Sequence, residues 1–93
     1  MIETSYDRGD AAKVERDFAG VDPDTVIFKV KDPANTLTTY EYSIDAEVIR
    51  AGVGNYYVDV DANLEGVWEV RWESVNPQTA HESAFIVKHS NFS

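Results

Sequence analysis

The sequence predicts an all-β protein, one antiparallel sandwich of about six or seven short strands. Three observations carry this. Apolar and polar residues alternate at a period of two in several short runs. Turn residues (Gly, Pro, Asn, Asp) break these runs about every ten residues. No long helical period, internal repeat or low-complexity segment is present.

The stretch from Asn55 to Trp72 organises the chain. Tyr56, Val58 and Val60 alternate with Tyr57, Asp59 and Asp61; Trp68, Val70 and Trp72 alternate with Glu69, Arg71 and Glu73. Each half reads as a strand with one buried and one wet face. A short polar turn between them suggests a hairpin that supplies the centre of the core.

The remaining elements follow in order. Ala12 to Phe18 is a strand with Val14 and Phe18 inward and Lys13, Glu15 and Asp17 outward. Its charges suit a sheet edge. Gly20 to Asp24 is a turn, because Pro23 fixes its own backbone and restricts Asp22. Thr25 to Lys31 is a strand with Val26, Phe28 and Val30 on one face and Lys29 and Lys31 on the other. Asp32-Pro33-Ala34-Asn35 suits a type I turn, and Thr36 to Tyr42 returns antiparallel. Ser43 to Gly54 has two readings: a single helical turn through Ile44, Val48 and Ile49, or an irregular crossover with a short strand at Glu47 to Arg50. Ser74 to Thr79 is a loop. Ala80 to Lys88 is the last strand, with Phe85 and Val87 inward. Residues 1–10 read as a lead-in lying along another surface, 11–89 as the sandwich and 90–93 as a polar tail.

Composition narrows the partners. The 93 residues make one domain with a modest core. Eight Lys and Arg against 17 Asp and Glu give a net charge of -9. Such a surface repels nucleic acid and anionic membranes and favours a basic partner. With no cysteine, disulfides, thiol catalysis and zinc–thiolate sites are excluded. The polar, acidic start lacks the features of a signal peptide, and no apolar run reaches membrane-spanning length. A soluble chain made in a cytoplasm is expected.

Candidate chemistry fails motif by motif. Asp59-Val60-Asp61-Ala62-Asn63 opens like a calcium loop, but Leu64 stands where glycine is needed and Val70 at the final ligand position. Asp7, Asp10, Asp22 and Asp24 are candidates to meet at one end of a sandwich around a hard cation; a solvated acidic rim is the favoured reading. His81 and His89, the only histidines, lack a further ligand for a metal site and read as exposed. No nucleophile elbow or phosphate loop is present. Glu69 and Glu73 beside Trp68 and Trp72 suggest sugar stacking, but the tryptophans share the apolar face of Val70, which favours core packing. Neither cofactor, metal nor catalytic residue is assigned.

Several runs carry a family resemblance. Tyr6-Asp7-Arg8-Gly9-Asp10, Val21-Asp22-Pro23-Asp24-Thr25-Val26 and Val30-Lys31-Asp32-Pro33 resemble segments of small immunoglobulin-like sandwich proteins of tailed bacteriophages. So do Gly54-Asn55-Tyr56-Tyr57-Val58-Asp59-Val60, Glu65-Gly66-Val67-Trp68-Glu69-Val70-Arg71-Trp72 and Phe85-Ile86-Val87. The pattern is also similar to bacterial macroglobulin-like modules. Such phage proteins occur among head and tail morphogenesis proteins. The resemblance implies an immunoglobulin-like fold with Tyr56, Trp68, Trp72, Phe28 and Phe85 as core anchors and with no catalytic residue to transfer.

Outward residues then become the functional candidates. Tyr57, Ile27, Leu37 and Ile86 are the expected docking surface, since tyrosine buries area while keeping a polar end. The expected function is a non-enzymatic structural virion protein. It docks on other phage structural proteins as a capsid decoration protein first, or at the head–tail connector or tail second, with a homo-oligomer on the particle as one arrangement. A carbohydrate-binding or adhesive module is the alternative.

Overall fold

The computed structural model describes residues 2–7, 9 and 11–88, with residues 2–5 and 7 described by backbone alone. Eight strands follow one another: β1 (Ile2–Asp7), β2 (Ala11–Asp17), β3 (Thr25–Lys31), β4 (Leu37–Glu41), β5 (Ile49–Gly52), β6 (Asn55–Asp61), β7 (Gly66–Val75) and β8 (Thr79–Lys88). One sheet has five strands in the order β1-β8-β7-β3-β4 and the other three in the order β2-β6-β5. All pairs are antiparallel except β1 with β8. The two sheets pack as a sandwich.

The inward alternate residues of both sheets form one core. Val26, Phe28, Trp68, Val70, Trp72, Phe85 and Val87 come from the five-stranded sheet, and Ala12, Tyr56, Val58 and Val60 from the other. Rings dominate the layer. Phe28 and Trp72 are 4.7 Å apart, and Trp68 stacks on Phe85 at 5.7 Å. Tyr56 meets Phe18 and Tyr42 edge-on at 5.7 and 5.1 Å, joining the sheets. Burying each large side chain stabilises the fold by about 1.5–3 kcal/mol. All five expected anchors (Tyr56, Trp68, Trp72, Phe28 and Phe85) are buried here.

The expected central hairpin does not form. β6 and β7 lie in different sheets, and residues 62–65 carry the chain across the sandwich. The inward faces are as expected, but they meet across the core instead of side by side. Trp68 Nε1 donates to the Leu64 carbonyl at 3.0 Å, fastening the crossing to the core. Ala62 is fully buried beneath it.

Other expectations differ in detail. Within the lead-in of residues 1–10, Ile2–Asp7 is a sandwich strand, paired with β8 through Lys88 and anchored by Tyr6 packing edge-on against Phe85 at 5.4 Å. The tail 90–93 and His89 lie outside the described residues. After β4 the Glu41 carbonyl accepts from Ile44 and Asp45 N–H, closing one turn that Ser43, at a φ of 74°, keeps from continuing as helix; β5 starts two residues after the strand expected at Glu47. The Asp32 turn closes with Asn35 N–H donating to the Asp32 carbonyl at 2.9 Å, and Asn35 takes the left-handed φ of 67°.

One close approach locks the loops at the β5–β6 end. Gly54 has a φ of 74°, and a Cβ there meets Gly20 N and Val21 N at 2.9 Å. Gly20, at φ 80°, has open space around it. Gly20→Ala is therefore expected to lose about 1–2 kcal/mol for backbone conformation alone. Gly54→Ala loses that and the clash, so its denaturant midpoint falls further at an unchanged m-value. Equal midpoints for the two variants contradict the packing described. Trp72→Ala is expected to lose about 3–5 kcal/mol in the same assay.

Candidate functional site

Outward residues of the two sheets make two chemically different faces. On the five-stranded sheet the register sets Lys29 beside Arg71, Ile27 beside Glu73 and Lys31 between Leu37 and Glu69. An ion-pair ladder runs across it. Lys29 Nζ is 3.0 Å and Arg71 Nε 2.7 Å from Glu73, and Arg71 Nη1 is 2.9 Å from Glu82. Hydrogen bonds from Arg71, then Lys29, hold the Glu73 carboxyl below its ordinary range. Glu73 and Glu82 in turn push the Arg71 guanidinium up. Across β3, β4, β7 and β8, Lys29, Lys31, Arg71 and Lys88 stand against Glu41, Glu69, Glu73 and Glu82, and Asp7 of β1 lies opposite Lys88.

The outer face of the three-stranded sheet is different. Tyr57 lies at its centre, between Glu15 of β2 and Ile49 of β5. Lys13 Nζ lies 4.5 Å from the Tyr57 ring centroid and 3.3 Å from Glu15. Asp17, Asp59 and Asp61 complete the face, so one lysine stands against four carboxylates. This is the acidic side of the molecule.

The four expected docking residues therefore divide. Ile27, Leu37 and Ile86 share the five-stranded face, whereas Tyr57 is on the opposite side of the sandwich. Leu37 is the most exposed of them, at 58%. Ile86 lies two strands from Ile27 and pairs with the exposed Val67. Ile27 and Leu37 sit at opposite ends of the β3–β4 pairing. The ion-pair ladder separates Ile27 from Leu37 and Ile86. Ile49 beside Tyr57 is a face residue that sequence reasoning left either on a helical turn or on a short strand at Glu47 to Arg50, and did not count among the docking residues.

The acidic candidates for a cation also divide. Asp7 ends β1 opposite Lys88, whereas Asp22 and Asp24 lie in the β2–β3 loop at the other end of the sandwich. Asp10 lies outside the described residues. The Asp22 carboxylate is filled. Oδ1 accepts from Gly54 N–H at 2.8 Å, Tyr56 O–H at 3.0 Å and Arg50 Nε at 3.2 Å; Oδ2 accepts Arg50 Nη2 at 2.9 Å. Asp24 accepts from Asn76 Nδ2 at 2.8 Å. Among the described residues, no three His, Cys, Asp or Glu side chains are placed to hold a metal ion. His81 is exposed on β8.

This Asp22 junction joins the β2–β3 loop to β5 and β6. Hydrogen bonds from Arg50, then Gly54, hold the Asp22 carboxyl well below its ordinary 3.8. Burial, reinforced by the Asp22 carboxylate, pushes the Tyr56 phenol up. Trp68 and Trp72, 5% and 1% exposed, present no ring surface for a sugar. A cleft of about 300 Å³ opens between the sheets beside β4, with Thr38, Tyr40, Asp59 and Asp61 among its walls.

Comparison with protein-family models, curated proteins and solved structures returned no match.

The junction has a pH signature. A carboxyl whose pKa is depressed on folding binds its proton more readily when unfolded, so its stabilisation is present above about pH 4 and declines as acid is added below that. Asp22→Asn is expected to flatten the acid limb of stability against pH by one proton's dependence, read from denaturant midpoints. An unchanged acid limb rejects the assignment.

Proposed function

We propose that this protein is a non-enzymatic docking module that engages a basic protein surface through the outer face of its three-stranded sheet. We place it in the virion of a tailed phage, as capsid decoration first and as a head–tail connector or tail component second. The observation that carries the docking reading is the composition of that face. Tyr57 and Ile49 supply contact area at its centre, and one lysine against four carboxylates gives it a sign. Tyrosine anchors are enriched in interfaces, and complementary charge steers encounter. A sandwich already ordered on both faces keeps the ordering cost of binding low. The phage setting is supported by the resemblance of the sequence runs alone.

Two measurements test this. Quantitative mass spectrometry on purified particles of the encoding phage is expected to find the chain, at a copy number scaling with the capsid lattice for decoration. A ring-sized number moves it to the neck, and absence from particles overturns the virion setting. Tyr57→Ala combined with Glu15→Lys is expected to weaken retention on the partner about tenfold, as loss of an interface anchor does. Retention of the unaltered protein is expected to fall with added salt. A double variant retained as well as the parent excludes this face.

A further inference from the structure

β4 borders the five-stranded sheet, so one side of it is unpaired. The hydrogen bonds around it determine which backbone groups are free. Tyr42 N–H donates to the Val26 carbonyl and Asp32 N–H to the Thr36 carbonyl, so even-numbered residues turn their backbone groups toward β3. In an antiparallel strand the intervening residues turn theirs the other way. These are Leu37, Thr39 and Glu41. Glu41 is already used: its N–H donates to Asp45 Oδ2 at 2.9 Å, and its carbonyl accepts from Ile44 and Asp45. Leu37 and Thr39 keep two N–H and two C=O groups with no partner among the described residues.

The opposite wall is open as well. β5 pairs with β6 only from Asn55 to Tyr57, so Val58 to Asp61 have no strand on that side, although the Asp61 carbonyl accepts from Asn63 N–H at 2.9 Å. The 300 Å³ cleft lies between these two bare edges. Strand edges are normally guarded by charge, proline or a bulge. β1 and β5 have register shifts, and β2 carries Lys13, Glu15, Arg16 and Asp17. Thr79 to Ser83 of β8 run beyond β1, but that side opens on a recess of only 150 Å³ flanked by Lys13 and Glu15. Leu37 to Tyr40 has no charge, proline or register shift.

We propose that the β4 edge accepts an added strand from a partner protein: an extended segment that pairs with Leu37 and Thr39 and carries lysine or arginine at the alternate positions turned into the cleft. Main-chain bonds give such strand addition its affinity, and alternate side-chain pockets its specificity. The cleft sets the chemistry. Asp59 and Asp61 on its wall have no ion-pair partner among the described residues. Thr38 and Tyr40 on the other wall offer hydroxyls. A second copy of this chain is a poor occupant, since each molecule brings a net charge of -9 and an identical acidic cleft. The edge belongs to the sheet opposite Tyr57, but Asp59 and Asp61 also stand on the docking face above, so it is pairing at the Leu37 and Thr39 backbone that separates this inference from that one.

The test is an NMR titration of the isotope-labelled protein with a short synthetic peptide alternating Lys and Thr. The expected result is slowed hydrogen exchange at the Leu37 and Thr39 amides. Two controls are expected to bind about tenfold more weakly or not at all, a loss of about 1.4 kcal/mol. One is the same peptide N-methylated at alternate amides; the other is an alternating Glu–Thr peptide. The Asp59→Asn, Asp61→Asn double variant is expected to lose the preference for Lys over Glu. Thr39→Pro removes an outward N–H not used by β3 and is expected to abolish binding; if that variant does not fold, the N-methylated peptide decides the backbone question. Equal binding of the N-methylated peptide, protection at other amides, or no binding of the Lys–Thr peptide overturns the proposal.

Discussion

The sandwich depends on one crossing. Between β6 and β7 the chain leaves one sheet and enters the other, with residues 62–65 as the bridge. This sets Tyr56, Val58 and Val60 opposite Trp68, Val70 and Trp72, so two consecutive strands fill both halves of the core. The bridge has little freedom. Ala62 is buried beneath it, Trp68 holds the Leu64 carbonyl, and Gly66 leaves it at a φ of 126°. A Cβ at Gly66 meets the Pro33 ring at 2.9 Å, so the β3–β4 turn closes against the same bridge. The glycine is required by both the backbone angle and the contact.

Face was legible in the sequence; pairing was not. The period of two in Thr25–Lys31, Asn55–Asp61 and Gly66–Val75 marks inward residues whichever strand lies alongside. It says nothing about whether a four-residue connection turns back within a sheet or crosses to the other. The hairpin expectation failed for that reason, although every inward residue in it is inward. β1 was illegible for another reason. Ile2–Asp7 has little apolar alternation, and it joins the sheet through parallel backbone pairing with β8, which leaves no mark on side-chain choice.

The proposed docking surface was legible to the same degree. Tyr57, Ile27, Leu37 and Ile86 do lie outside the core, but the two sides of the sandwich share them. Alternation separates inside from outside and cannot say which outside. The junction at Asp22 was hidden because Arg50 and Gly54 are 28 and 32 residues away, a separation that no local signal spans. The bare edge at Leu37 and Thr39 required the register, since only hydrogen-bond parity tells which backbone groups turn outward.

The unequal charge of the two faces makes the molecule a dipole across its thickness. The three-stranded side is negative, and the five-stranded side pairs two cations with two carboxylates in its ladder. Near a positively charged plane the protein turns before it touches. It adsorbs in a preferred pose, with the Tyr57 face down and the Lys29–Glu73–Arg71–Glu82 ladder facing solvent. A layer of such molecules shows the surroundings a mixed-charge, nearly neutral coat in place of the charge beneath it.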